Sequence, residues 1–231
     1  MELNILLYTH TDYKDAWAPF FGQINKFLPD SKLYVLVNDY DYNIPAKCNI
    51  ILYDDKKKYS DRIKDGLGKL SCDYFLFIHE DMFLYDKPNN KIIERYIGYI
   101  KDKSASSIKL IYVDDVNNVT PHIDSTLILN RYSKFSIQPT LILKDTLYEK
   151  LNELPPLNIY ELEEAIQNNN KDFMCKIGGE IKIGSSHYNS LVFPYIATAI
   201  VKGKWNYLEY KNELDIILNE YNIDKNKRGI F

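Results

Sequence analysis

Arginine, cysteine and glycine are all scarce in this chain, and each shortage removes a class of function. The arginines are Arg62, Arg95, Arg131 and Arg228, and 29 Lys+Arg against 32 Asp+Glu leave a net charge of −3. That balance excludes a broad basic surface for nucleic acid, and equally an acidic tail. Cys48, Cys72 and Cys175 are odd in number, far apart and without zinc spacing, as expected of idle thiols in a reducing compartment. The nine glycines form neither GxGxxG nor GxxxxGK[ST], so the dinucleotide fingerprint and the P-loop are both missing. No apolar run approaches the ~18 residues of a membrane span; the longest, Leu191 to Val201, contains Pro194. The opening MELNILLYTH has no basic region followed by a long apolar core, so no signal peptide is expected and the expected location is cytoplasmic.

What is present is ordinary for a globular chain. Its 231 residues, at about 150 per domain, make one large domain, and 45% hydrophobic with 26% charged residues argues against disorder. Ile, Lys, Asn and Tyr are all frequent, as AT-rich codons produce, so the 20 tyrosines are not in themselves a stacking surface. Asn4 to Thr9 reads as a first strand, and Asp15 to Phe27 sets Trp17, Phe20, Phe21, Ile24 and Phe27 at helical spacing. Lys32 to Asp39 and Asn49 to Asp55 follow as strands, then a helix from about Ser60 with Ile63, Leu67 and Leu70 on one face. Asp73 to Leu84 is a buried strand that breaks at His79-Glu80-Asp81; Ile92 to Ile100 is helical and Ser107 to Val113 a strand. The order β-α-β-β-α-β-α-β predicts an α/β sandwich with a mostly parallel sheet.

The second half is less regular. Asp114 to Thr126 reads as loop, Ile137 to Leu143 as a strand and Lys144 to Leu151 as a helix. After Pro155-Pro156 comes an acidic helix from Ile159 to Gln167, then an Asn168-Asn169-Asn170 loop. A Gly-rich short-strand region, Lys176 to Ser186, precedes a last helix from about Leu208 to Tyr221.

Ligands of open α/β sheets bind beyond the carboxyl ends of the strands. Those ends carry Thr9-His10-Thr11-Asp12, Asn38-Asp39, Asp54-Asp55 and His79-Glu80-Asp81. Without a glycine loop to cradle phosphates, the simplest device is a divalent cation, Mg²⁺ or Mn²⁺, shared between carboxylates and substrate phosphates. Glu80-Asp81, after six largely apolar residues, meets that need.

The stretch KYSDRIKDGLGKLSCDYFLFIHEDMFL, from Lys58, resembles small GT-A-type glycosyltransferases of bacterial surface-polysaccharide clusters and large DNA viruses. There, a Trp/Tyr-Ser-x-Arg helix precedes a strand ending in an acidic pair, an aromatic and Phe-Leu. TDYKDAWAPFF, SIQPTLILKDTLYEKL with NIYELE, and VKGKWN resemble further segments of that family, in order along nearly the whole chain. The resemblance implies a single GT-A (Rossmann-like) α/β/α domain. Residues 1 to about 115 would form its nucleotide-sugar half, and about 116 to 231 its acceptor half. It implies a metal-dependent, inverting transfer of a sugar from a UDP- or dTDP-sugar donor to a glycan hydroxyl. Thr9, Thr11, Asp12 and Asp39 would then surround base and ribose, with His79 and Glu80 beside them, Arg62 at the diphosphate and Asp81 on the metal. His79 stands where the family's Asp-x-Asp has its first acid, and Tyr160 and Leu162 replace the aromatics of Trp-Glu-Phe-Glu.

Two steps define the chemistry. The departing diphosphate must be neutralised, and the acceptor hydroxyl must lose a proton to a carboxylate. Glu161, Glu163 and Glu164 cluster at a helix start, where the dipole favours the charged form. Spacing puts Glu161 and Glu164 on one face and leaves open which is the base; the resemblance selects Glu163. His187, in a Gly-Ser-rich loop, is either a returning metal ligand or a surface histidine, and Arg62 either meets the nucleotide or pairs with Asp61, Asp65 or another carboxylate. The rival functions are a nucleotidyltransferase and a non-catalytic glycan- or protein-binding module derived from a transferase.

Overall fold

Period-three-and-four apolar spacing and uninterrupted apolar runs, the two patterns of the first half, fold as helices and buried strands respectively. The computed structural model describes residues 2–111, 123–130, 136–176, 178–183 and 187–231. In it β1 (Asn4–Tyr8) leads through a 3-10 helix (Thr11–Ala16) into α1 (Trp17–Phe27), then β2 (Lys32–Val37) and β3 (Asn49–Leu52). α2 (Tyr59–Gly68), β4 (Tyr74–His79), α3 (Asn90–Lys101) and β5 (Ser107–Lys109) complete this half. The helix expected from Asp15 thus has two parts, and Pro19 falls in the first turn of α1, where its missing N–H costs no hydrogen bond. Trp17, Phe20, Phe21 and Ile24 form the buried face of α1; Ile93, Tyr96, Ile97 and Ile100 form that of α3.

Eight strands make one sheet. β6 (Leu127–Leu129), β7 (Thr140–Leu143) and β8 (Asp172–Cys175) join the first five in the order β3-β2-β1-β4-β7-β5-β8-β6. The ladders β3-β2, β2-β1, β1-β4 and β5-β8 are parallel, and those of β7 with β4 and β5, and of β6 with β8, are antiparallel. β6 and β8 do not figure among the elements expected from sequence. The loop expected from Asp114 lies mostly outside the described residues, and residues 123–126 form a bend and turn. β4, flanked by β1 and β7, is buried on both faces, which is why it reads as a continuous apolar run.

The chain goes from β1 outward to β2 on one side and returns from β3 through α2 to β4 on the other. Crossovers between parallel strands are right-handed, so this reversal sends α1 and α2 to opposite faces. It also opens a crevice at the carboxyl ends of β1 and β4, the topological switch point. α4 (Lys144–Asn152) and α5 (Ile159–Ala165) lie against α2, while α6 (Tyr207–Glu220) lies against α1. Between them run the hairpins β9 (Gly178–Ile183)/β10 (His187–Ser190) and β11 (Ile200–Val201)/β12 (Lys204–Trp205). The turn of the second hairpin, Lys202-Gly203, has both φ angles positive, at 49° and 75°, the primed geometry that suits a two-residue loop. α7 (Lys225–Arg228) ends the helices, and among the described residues no helix is long and apolar enough to cross a membrane.

Candidate active site

The carboxyl ends of β1, β2, β3, β4 and β5 meet along one edge, joined by the residues that enter antiparallel β7. At the switch point the chain leaves β4 through His79, Glu80 and Asp81. The C-terminal segment returns alongside: Ile196 N–H donates to Phe83 O at 2.8 Å and Ala199 N–H to Asp81 O at 3.0 Å, while the Asp81 carboxylate accepts from Ile200 N–H. This clasp leaves Glu80 buried and Asp81 half-buried. Burial, with the Asp81 charge beside it, pushes the Glu80 carboxyl up to about 8, and burial pushes Asp81 up to about 6. Glu80 is 7% exposed, and its Oε2 has no hydrogen-bond partner among the described residues. Two adjacent carboxyls, whose raised values mark a site short of positive charge, stand at the end of β4.

Thr9 is fully buried. Its Oγ1 accepts from Trp17 Nε1 at 2.7 Å and its side chain hydrogen-bonds Glu80, so its hydroxyl is engaged within the chain. Thr11 and Asn38 are held to each other, with Thr11 N–H donating to Asn38 Oδ1 at 2.9 Å and Asn38 Nδ2 to Thr11 Oγ1 at 3.0 Å. Asp12 and Asp39 are exposed at the rim. His10 lies between Asp12 and Asp55, 3.3 Å from each. Arg62 has partners within the chain, and its ion pair is with a carboxylate other than Asp61 or Asp65. It pairs with Asp55 Oδ1 at 2.9 Å, donates to Lys57 O at 2.8 Å and Tyr8 Oη at 3.1 Å, and stacks on Tyr53. Asp61 and Asp65 pair instead with Lys64 and Lys57.

His79 stands in an aromatic box. Its ring stacks on Tyr8, centroids 5.2 Å apart, and meets Phe77 edge-on, while its Nε2 shares a 2.8 Å hydrogen bond with Tyr59 Oη. Burial holds the imidazole down to about 3, so it is neutral at pH 7. Tyr59 and Ser60 begin α2, and Ser60 fastens the entry to α5: Leu157 N–H donates to Ser60 Oγ at 2.8 Å and Ser60 N–H to Leu157 O at 3.1 Å.

That docking separates the three glutamates. Glu161 closes a capping box, accepting from Asn158 N–H at 2.7 Å while Asn158 Oδ1 accepts from Glu161 N–H at 3.0 Å. Glu164 is exposed. Glu163 turns inward, its Oε1 accepting from Ile137 N–H at 2.7 Å, near enough to act electrostatically on Tyr59 and Lys109. The edge thus carries two carboxylate stations, Glu80-Asp81 and Glu163, with the Tyr59-His79 pair between them. His187 opens β10, and its side chain lies outside the described residues.

Sequence reasoning assigned no role to Tyr8, Lys109, Asp55 or Arg228. Arg228 grips Asp15 through two nitrogens, is wedged between the rings of Tyr13 and Trp205, and lends positive charge to Glu80 and Asp81. Beside it a groove is lined by Thr11, Asp12, Lys14, Gly203 and Lys227. The available signals were one of four arginines in a lysine-rich chain and one lysine inside an apolar strand.

The donor set can be tested against a divalent ion. Among the described residues no group of three or more His, Cys, Asp or Glu is placed to hold a metal. Two carboxyls short of positive charge nevertheless fit an ion that takes its remaining oxygens from substrate phosphate and water, the usual habit of Mg²⁺.

No family model and no curated protein matches the sequence. Among solved structures, S. aureus TarS 1-349 superposes with TM-score 0.52 and 12% identity, over 95% of this chain and 65% of its own. The galactosyltransferase LgtC, in complex with donor and acceptor sugar analogues, matches 75% of this chain and 72% of its own, with TM-score 0.45 and 12% identity. The bifunctional IspDF of Campylobacter jejuni matches 83% and 52%, with TM-score 0.44 and 14% identity. The chain spans less than two thirds of the TarS and IspDF chains. At these identities the likeness is one of fold: a GT-A-like α/β sandwich.

Proposed function

We propose, from a fold shared with GT-A-type glycosyltransferases, that this protein transfers a sugar from a nucleoside-diphosphate donor to a glycan hydroxyl with inversion. The observation that carries the reading is the pair of carboxylate stations on one sheet edge, supplied by different elements. Inversion places acceptor oxygen and leaving phosphate on opposite faces of the anomeric carbon, so base and phosphate site must come from separate parts of the chain. TarS, a structure of which holds UDP-GlcNAc, makes a UDP-sugar the first donor to try, with dTDP-sugars next.

Asp81 and Glu80 would hold Mn²⁺ or Mg²⁺, which supplies Lewis-acid neutralisation of the departing diphosphate. The chain's own residues do the rest. Trp17 and Thr9 fix Glu80 from behind, and Arg228 tempers the negative charge of the pair. Thr11, Asp12 and Asp39, at the rim of the β1-β2 crevice, would meet base and ribose. Arg62, held by Asp55, would support Tyr8 under the donor site rather than meet the diphosphate. Glu163, anchored by Ile137 N–H, would accept the acceptor's proton. His79, neutral and bonded to Tyr59, would wall the sugar site.

A thermal-shift screen of UDP, dTDP and their sugars, with Mn²⁺ or EDTA, tests the reading. A nucleoside diphosphate should raise Tm more with Mn²⁺, and Asp81→Ala should abolish that increment while leaving the fold. An unchanged increment in the variant removes Asp81 from the site. Retained stereochemistry at the anomeric carbon removes the base, and pyrophosphate release from a nucleoside triphosphate and a sugar phosphate would favour the nucleotidyltransferase.

A further inference from the structure

One charged group on the active edge has no part in the roles above. Lys109 ends β5 and is 3% exposed, with its Nζ donating to Ser136 Oγ at 2.7 Å. The next residue, Ile137, donates its N–H to Glu163 Oε1, also at 2.7 Å. An ammonium from a strand and a carboxylate from a helix, more than fifty residues apart in sequence, are thus tied to the same two-residue segment at the mouth of β7. Burying a lysine is unfavourable without a counter-charge. Burial presses the Lys109 ammonium down to about 8, and the opposing influence among the described residues is the charge of Glu163, from α5. The remaining contact from β7's side is the uncharged Ser136 hydroxyl.

We propose that Lys109 is a positioning residue for Glu163: it supplies the counter-charge that fixes this carboxylate against Ile137, facing the acceptor site. The proposal rests on the reading of Glu163 as the base, and goes beyond it by naming what holds the base in place. A lysine placed only to fill space would be indifferent to the charge at position 163. A positioning lysine is coupled to it, and the coupling acts equally in both directions.

The test is an NMR titration of lysines labelled at Cε, on the full chain without ligand. In Glu163→Gln the Lys109 midpoint should fall by about one unit, the low end of the effect of an opposite charge nearby. In Lys109→Met, which keeps length and apolar volume, the Ile137 amide proton should move upfield as its charged acceptor loses its place. A Lys109 midpoint that stays put in Glu163→Gln overturns the proposal, as does an unmoved Ile137 amide in a folded Lys109→Met. Should Lys109→Met fail to fold, the titration of Glu163→Gln decides alone. A shifted lysine in a Glu163→Gln variant with full turnover of the selected nucleotide sugar would keep the pairing and remove the base role, so the two failures are separable.

Discussion

Glutamates 161, 163 and 164 share one short helix but meet three environments, and substitution should tell them apart. Glu161→Ala breaks the capping box and should cost about 0.5–1 kcal/mol of stability, toward the low end of a lost cap, with turnover intact. Glu163→Gln keeps the shape but not the basicity, so turnover should fall about 10²–10⁴-fold while nucleotide affinity survives. Urea denaturation and a coupled diphosphate-release assay read the two effects. Glu80 makes a pH prediction. Its folded-state value, about 8, stands above the 4.5 of an ordinary glutamate, so the folded chain binds more protons than the unfolded one between those values. Stability from this group is therefore present below pH 4.5 and is lost as pH rises toward 8; Asp81, raised to about 6, acts the same way over a lower window. Glu80→Gln should gain stability relative to the parent as pH rises from 5 to 8 in EDTA. A constant difference in Tm across that range would contradict it.

At the scale of elements, the helices legible from periodicity are those that pack on the sheet, and their closeness sets what they tolerate. A Cβ on Gly66 of α2 would stand 2.7 Å from the Leu36 side chain, which is fully buried in β2. Gly66→Ala gains up to about 1 kcal/mol of helix propensity but overpacks the core by about 1–3 kcal/mol. The net should be destabilising, and a denaturation midpoint equal to or above the parent's would sink the argument. At the other end of α2, Ser60 holds the entry to α5 through Leu157 and so helps to set Glu163. β6 and β8 escaped the sequence because each lies among polar residues that read as loop, Asp124-Ser125-Thr126 and Asn130 around one, Asn168 to Asp172 and Lys176 around the other. β8 opens on Asp172, which looks like a loop residue but is buried and held by Ser107, Lys150 and the Asn169 N–H.

Across the whole molecule, the C-terminus is what closes the site. Arg228 and Asp15 join the last helix to the 3-10 turn after β1. Arg228→Met should cost roughly 1.5–3 kcal/mol, the worth of hydrogen bonds to a charged group, and nearer the lower figure because the Asp15 side chain is 40% exposed. It should also weaken the metal-dependent Tm increment by loosening the 194–206 clasp around Asp81. An unchanged urea midpoint would show that the clasp holds without this pair. The features legible along the chain are local in origin: the order of elements through β5, the apolar faces of α1, α2 and α3, and the polar ends of the first four strands. Hydrophobic period and strand-end polarity are written in neighbouring residues. Long-range packing, by contrast, makes His79 neutral against Tyr8 and Tyr59, gives Arg62 to Asp55, turns Glu163 and not its neighbours inward, and buries Lys109 on the same edge. Those outcomes depend on desolvation and on partners tens to hundreds of residues away, which the chain brings together only when it folds.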